Sequence, residues 1–181
     1  MRKYKAGDPK YPQPGYPHYL VAVDLGKTKL GVAVFDVDSR GQARLYWAGT
    51  LTATKRAAPE EVASLVTSSV DFLVARSLTS KVPVLWVCEW PQKYDTKRKY
   101  HEDLEALHAV GRVLPPWSEK YRPREWKAQV PKKPHHRRIR RELLQVEKEA
   151  MQDRNHDTLD AIGIGLFATA RHRRGGLPNG T

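Results

Sequence analysis

Four acidic residues of this chain stand at positions where acids commonly bind metal ions. Asp24 and Glu89 each end a run of apolar residues that predicts a strand, and Asp157 and Asp160 open an apolar segment that predicts a helix. Mg²⁺ and Mn²⁺ prefer hard oxygen ligands such as carboxylates. Each acid alone could be an ordinary turn, strand-end or helix-cap residue. Together they predict a divalent metal centre.

The last two acids belong to one helix. Asn155 is a good N-cap residue, and the three-residue spacing of Asp157 and Asp160 puts both on one face of the helix that follows it. The helix dipole accounts well for Asp157. Asp160 is flanked by the apolar face, where an ionised carboxylate without a partner would be strongly destabilising. We therefore expect a cation, a basic side chain or a second acid sharing a proton beside Asp160.

The order of predicted elements brings the first two acids together. Strands are expected over 19–23, 29–36 and 43–51 as an antiparallel meander, followed by a helix from Pro59 and a continuously apolar strand over 82–88. A strand, a crossover helix and a second strand join in the right-handed sense, so the strand over 82–88 should lie parallel to the first. Asp24 and Glu89 would then meet at the carboxyl edge of the sheet, where open α/β sheets bind ligands.

The composition points to a polyanionic partner. The 181 residues are enough for one domain, and 32 Lys and Arg against 20 Asp and Glu give a net charge of +12. Such a balance favours nucleic acid first and an acidic membrane surface second. No apolar stretch approaches the roughly 20 residues of a membrane span, and the N-terminus does not resemble a secretory signal. We expect a soluble, cytoplasmic protein in which the lone Cys88 is a small buried hydrophobe.

Composition also divides the chain. Residues 1–18 are rich in proline and basic residues and predict a flexible basic arm, residues 19–172 form the predicted domain, and residues 173–181 form a flexible tail. A helix over 100–114 carries an apolar stripe that could join two copies of the chain or pack on the sheet.

The segment between the acids holds most of the positive charge. Residues 91–141 contain fifteen Lys or Arg against six Asp or Glu, which could be a solvated face or a nucleic-acid surface. Tyr94 could stack on a splayed base, whereas Trp117 and Trp126 are more typical of core anchors. The predicted nucleic-acid-binding residues are Lys93, Tyr94, Lys97, Arg98, Lys99, Arg124, Lys127, Lys132, Lys133, Arg137 and Arg138.

These motifs resemble a known family. Val23-Asp24-Leu25-Gly26, Glu89 in Val-Cys-Glu-Trp-Pro, and Asp157-Thr-Leu-Asp160-Ala match in order and spacing the RuvC family of Holliday junction resolvases, within the RNase H-like superfamily. The resemblance covers about 19–170 and is greatest to the compact phage and prophage branch, in which a segment such as Trp126-Lys127 precedes the last motif. It implies an α/β, RNase H-like fold: a central mixed five-stranded sheet, made of the three-stranded antiparallel meander and parallel strands, flanked by helices.

The resemblance also implies an activity. Members are crossover junction endodeoxyribonucleases, so the chain is expected to cut four-way and other branched DNA as a homodimer, without a nucleotide cofactor, inside a bacterial or phage-infected cell. Two Mg²⁺ or Mn²⁺ ions about 3.5 to 4 Å apart would be held by the four acids, with Asp24 bridging, to leave 5′-phosphate and 3′-hydroxyl ends. Lys127 and Lys132 are the candidates to offset charge on the phosphorane. Some members have histidine in place of the first acid of the last pair; here the three-residue spacing favours Asp157 over His156.

Three other functions deserve comparison. An actin-like or sugar kinase also begins with Asp-x-Gly-x-Thr, but its second nucleotide-binding lobe does not fit in 181 residues. A YqgF-like nuclease acting on RNA would share the region around Asp24. A non-catalytic junction-binding protein would not need the complete set of acids. Cleavage assays on junction, flap, duplex and structured RNA would separate these classes.

Overall fold

The structure, a computed structural model, describes residues 16–77, 82–90, 98–115, 119–128 and 130–173. The side chains of residues 76–77, 98–103 and 171–173 are not among those described. Most of the predicted arm and tail therefore lies outside the described residues. The first strand begins at His18, one residue before the predicted start at Tyr19.

A mixed five-stranded sheet forms the centre of the molecule. Its strands are β1 (His18–Asp24), β2 (Lys29–Val37), β3 (Ala43–Thr52), β4 (Val84–Glu89) and β5 (Glu119–Tyr121), in the spatial order β3-β2-β1-β4-β5. β1, β2 and β3 pair antiparallel as the predicted meander, whereas β1 with β4 and β4 with β5 are parallel. The sheet is open, and the mixed five-stranded arrangement predicted for this chain is confirmed.

Helices cover both faces of the sheet. They are α1 (Pro59–Ser77), α2 (Arg98–Val113), α3 (Pro123–Trp126), α4 (Lys132–Glu142), α5 (Gln145–Glu149) and α6 (His156–Arg173). α6 begins where the sequence predicted, because the Asn155 side chain accepts a hydrogen bond from the Thr158 amide at 3.0 Å. The short helices α3 and α5 were not predicted, since runs of four and five residues carry too little periodicity.

Each face of the sheet has its own apolar core. On one face, β1 and β2 residues such as Leu20 and Phe35 pack with Ile162 of α6, and α3 and α4 close the cluster. On the other face, Val21 and Val62 belong to a second cluster built with α1 and α2. β4 is buried on both sides, as its uniform apolarity predicts, and β1 beside it is buried in the same way. Cys88 is fully buried in the second cluster, which confirms its role as a small hydrophobe.

The apolar stripe of α2 packs inward for much of its length. Val110 and Leu114 are buried in the core shared with α1, while Val113 is exposed. Packing on the sheet, one of the two alternatives for this helix, is therefore observed. Within the described part of the chain, no helix is both long enough and apolar enough to cross a membrane.

Two acids fasten the segment around α5 to the outer strand β3. Glu147 is buried, and its carboxylate accepts hydrogen bonds from the amides of Leu45 on β3, at 2.8 Å, and Leu144, at 2.7 Å. Asp153 accepts from the Thr50 amide at 2.7 Å and from the Thr158 hydroxyl. We call Glu147 and Asp153 the β3 anchor, because they fix the chain between α4 and α6 against the sheet.

Candidate active site

Asp24, the last residue of β1, lies beside the first turn of α6 because a glycine faces it across the sheet. Asp24 pairs with Gly31 of β2, and a Cβ atom built on Gly31 would lie 1.9 Å from the carbonyl oxygen of Asp157. No side chain fits in that space. The backbone at Asp157 therefore rests directly on β2, next to the end of β1.

The charges around Asp24 show that the four predicted acids converge. Burial raises the pKa of Asp24 well above its ordinary value of 3.8, and the negative charges of Asp160, Glu89 and Asp157 raise this pKa further. Lys127 lowers it in part. Among the described residues, the Asp24 carboxylate has no hydrogen-bond or ion-pair partner. We call these four acids the carboxylate cluster.

Glu89, at the end of β4, is held by two consecutive residues that follow β5. The Trp126 indole donates a hydrogen bond from Nε1 to Glu89 Oε2 at 2.7 Å, and Lys127 Nζ lies 3.0 Å from the same oxygen. Trp126 is buried on the α6 side of the sheet, where its ring packs over Gly163 and beside His135. The buried indole thus holds one oxygen of Glu89, and Lys127 Nζ lies 4.7 Å from the centre of its ring.

Asp160 has basic partners on α4. Its Oδ1 lies 2.8 Å from His136 Nε2, and its Oδ2 lies 3.3 Å from Lys132 Nζ. The Asp160 side chain is 8% exposed, so these partners supply the basic group that its burial was expected to require. Asp157 is more exposed, and its Oδ1 lies 3.0 Å from the exposed His156.

The carboxylate oxygens of the cluster are the kind of ligand that a hard divalent cation prefers. Three carboxylates surround the buried Asp24, whose pKa is raised by burial first and by their negative charges second, and a hard cation would relieve that repulsion. Within the described ranges, however, no three His, Cys, Asp or Glu side chains are already arranged as ligands of one ion. Trp126 and Lys127 engage one oxygen of Glu89, and Lys132 and His136 engage both oxygens of Asp160.

The predicted nucleic-acid-binding residues fall into two groups. Lys93, Tyr94 and Lys97 lie outside the described residues, and so do the side chains of Arg98 and Lys99 in α2. The remaining residues lie on α3, on α4 or just after α3. Of these, Lys127 and Lys132 contact the cluster, whereas Arg124, Lys133, Arg137 and Arg138 are exposed.

Two residues at the site had no predicted role there. Trp126 was expected to be a core anchor, which it is, but its donated bond to Glu89 was not foreseen because the pairing joins residues 37 positions apart. His136, the partner of Asp160, carried no prediction. Its position four residues after Lys132, on the same face of a helix, is the signal that could have identified it.

Comparison with known proteins identifies the fold. No protein-family model matches the sequence, and a search of curated proteins finds no relative. Among solved structures, the chain is similar to Thermus thermophilus RuvC in complex with a Holliday junction substrate, with 19% identity and a TM-score of 0.58. It is also similar to Thermus thermophilus RuvC alone, with 20% identity and a TM-score of 0.57. Each comparison covers 87% of this chain and 96% of the RuvC chain. The resemblance predicted from the motifs is thus confirmed at the level of structure, and the chain has the RNase H-like fold of RuvC.

Proposed function

We propose that this protein is a metal-dependent, structure-selective endonuclease that resolves four-way and other branched DNA junctions by phosphodiester hydrolysis. The observation that carries the proposal is the carboxylate cluster. Acids from β1, β4 and α6 converge at the carboxyl ends of two parallel strands, beside two lysines, on the fold of a resolvase.

The cluster accounts for metal dependence. Asp24, Glu89, Asp157 and Asp160 would hold Mg²⁺ or Mn²⁺, with two ions per site, and Asp24 is best placed to be shared because the other three acids all act on its charge. Bound cations would supply activation of water and stabilisation of the leaving 3′ oxygen, which leaves a 5′-phosphate and a 3′-hydroxyl.

The two lysines account for charge compensation on the protein side. Lys127 and Lys132 neutralise Glu89 and Asp160 in the structure described here. When a phosphate group enters, the same ammonium groups would be within reach of its oxygens and would offset the negative charge that develops during attack. Trp126 would keep Glu89 oriented whichever partner Lys127 takes.

A branched DNA substrate fits the charge and the fold. The net charge is +12, and one of the two similar RuvC structures is a complex with a Holliday junction substrate. A four-way junction has two-fold symmetry and needs two cuts, so we propose that the active form is a homodimer with one site per subunit. Light scattering of the purified protein, alone and with junction DNA, measures this directly.

The decisive experiment compares substrates and one variant. Purified protein is incubated with a four-way junction, a flap, a linear duplex and a structured RNA, with and without Mg²⁺. We expect cleavage of the junction in preference to the duplex, and only with Mg²⁺. Asp24→Asn should bind the junction but not nick it. Asp71→Asn, which changes an exposed acid on α1, is the matched control and should cut normally.

Other outcomes would identify the alternatives. Cleavage confined to RNA would favour a YqgF-like nuclease. Tight junction binding without cleavage, under all metal conditions, would favour a non-catalytic junction-binding protein. Near-normal cleavage by Asp24→Asn would contradict the role given to the carboxylate cluster.

A further inference from the structure

A second basic feature lies outside the carboxylate cluster. An open cavity of about 500 Å³ is bounded by α4 on one side and by the chain from α5 to the start of α6 on the other. Of the described residues, six line it: five are cationic, and the sixth is Met151. We call it the cationic cavity, and its basic residues are Arg137, Arg140, Arg141, Lys148 and Arg154.

Among the residues that the structure describes, no acid lines this cavity, because the nearby acids bond elsewhere. Glu147 and Asp153 face β3 as the β3 anchor. Glu142, at the end of α4, pairs with Arg138 at 2.8 Å. Within the described part of the chain, none of the five cationic side chains makes a hydrogen bond or an ion pair. Five adjacent positive charges without a counterion repel each other, so the cavity favours an anionic occupant.

The cavity is built on a rigid frame. The β3 anchor fixes both ends of the segment that carries Lys148 and Arg154, and Met151 forms a bridge with Ala48 of β3. On the opposite wall, Ile139 is buried and holds α4 against α6. Cations held on fixed elements lose less freedom when they bind a ligand than cations on a loose arm do.

The cavity adjoins the carboxylate cluster. Lys132, His136 and Arg140 are spaced four residues apart on α4, so they form one stripe along the helix. The first two contact Asp160, and Arg140 lies one turn, about 5.4 Å, further along. On the other wall, Arg154 precedes α6 and Asp157 by a few residues. A chain of phosphates that passes the cluster would enter the cavity next.

We infer that the cationic cavity binds the phosphodiester backbone of the DNA strand beside the scissile phosphate. Guanidinium groups suit phosphate oxygens because they donate planar, paired hydrogen bonds, and four of the five cations are arginines. The cavity contacts no base edge in this role, so it fixes the register of the strand without reading sequence. The inference deepens the proposed function and rests on it.

The test measures DNA binding separately from cleavage. Arg140→Gln, Arg154→Gln and the double variant are compared with wild type on a four-way junction in Ca²⁺ or EDTA, across a range of salt concentrations. Each lost phosphate contact should lower the log–log salt slope by about 0.9, and the double variant by about twice that. Arg40→Gln removes one exposed charge from the β2–β3 turn, at the opposite end of the sheet from Asp24, and should leave the slope unchanged.

A second measurement locates the contact on the DNA. Neutral methylphosphonate linkages are placed one at a time on either side of the cut. At one or two positions near the cut, the neutral linkage should lower the affinity of wild type and of Arg40→Gln for the junction. It should lower the affinity of the double variant little, because that variant already lacks the contact.

The outcomes distinguish this inference from the proposed function. Unchanged salt slopes, or equal effects of the neutral linkages on all proteins, would contradict DNA binding by the cationic cavity. Junction cleavage by the wild type would still support the proposed function. Lower salt slopes for the variants, together with a wild type that does not cut any substrate, would support DNA binding by the cationic cavity and contradict the proposed nuclease activity. If the slopes change only on structured RNA, DNA is the wrong occupant.

Discussion

The carboxylate cluster and the β3 anchor use the same functional group in opposite ways. Asp24 is buried among three other acids, and burial and their charges raise its pKa. Burial alone would raise the pKa of Asp153 too, but hydrogen bonds from Thr158, Asn155 and Thr50 outweigh it and bring this pKa below 3.8. Asp24 thus faces other negative charges, whereas Asp153 accepts several hydrogen bonds.

This difference distinguishes acids that are available to bind a ligand from acids that stabilise the folded state. An ionised carboxylate with several donors stabilises the folded state, whereas one that faces like charges opposes folding until a cation arrives. Proteins accept such local destabilisation at sites that bind ligands. We therefore expect a change from carboxylate to amide to have opposite effects in the two regions.

After Asp24→Asn, the largest effect on cleavage is expected from Asp160→Asn. The change keeps the size of the side chain but removes one charge from the carboxylate cluster, so junction cleavage should fall on the order of 10²-fold or more. Binding of the junction should be retained. Glu147→Gln in the β3 anchor is the matched control, and its cleavage per folded molecule should stay near wild type. Equal losses of cleavage activity in the two variants would contradict the difference proposed between the carboxylate cluster and the β3 anchor.

Trp126→Phe tests how Glu89 is oriented. The variant keeps an aromatic ring in the core but loses the indole donor to Glu89 Oε2. Partners that orient a metal ligand typically contribute about 10- to 100-fold in affinity or activity. We expect a loss in this range, seen as a shift of the Mg²⁺ concentration needed for cleavage and as weaker Mn²⁺ binding by calorimetry. An unchanged Mn²⁺ affinity would show that Lys127 alone positions Glu89.

Glu147→Ala measures the contribution of the β3 anchor to stability. It leaves the amides of Leu45 and Leu144 without their acceptor, and an unsatisfied buried donor costs about 1 to 3 kcal/mol. Urea unfolding should report a loss of that size. Glu149→Ala, an exposed change on the same helix, should have little effect. A stable Glu147→Ala variant would mean that water replaces the lost carboxylate.

The smallest expected effect is a difference of sign in pH dependence, measured by urea unfolding without metal. Because the folded-state pKa of Asp24 is raised, stability should fall as the pH rises above 3.8 through that pKa, and Asp24→Asn should remove this loss. Because the folded-state pKa of Asp153 is lowered, its contribution is present above 3.8 and lost as the pH falls through the folded pKa. Asp153→Asn should remove that acid-side loss. Curves of the same sign for both variants would contradict the comparison.

The sequence predicted most of the sheet and the convergence of the acids, because both depend on strong signals. The apolar runs of β1 and β4 and the helical crossover determine their parallel pairing, and this pairing puts Asp24 beside Glu89. Asn155 followed by an apolar helix gave the start of α6. These are local patterns of charge and hydrophobicity, which can be read from the sequence alone.

The partners of the acids could not be predicted in the same way. Trp126 reaches Glu89 only because α3 follows the short strand β5, whose three residues carry no periodic signal. The β3 anchor joins Leu45 to Glu147 and Thr50 to Asp153 across more than a hundred positions. Such pairs depend on how helices pack on the sheet edge, and hydrophobic spacing does not encode that geometry.

Gly31 has a consequence for how this protein tolerates mutation. Every other amino acid has a Cβ atom, and at this position the atom would overlap the backbone at Asp157. In a library of variants selected for cleavage, we expect position 31 to return only glycine, while the buried neighbours Leu30 and Val32 accept other apolar residues of similar volume. The position least open to change in the site would then be one that bears no functional group.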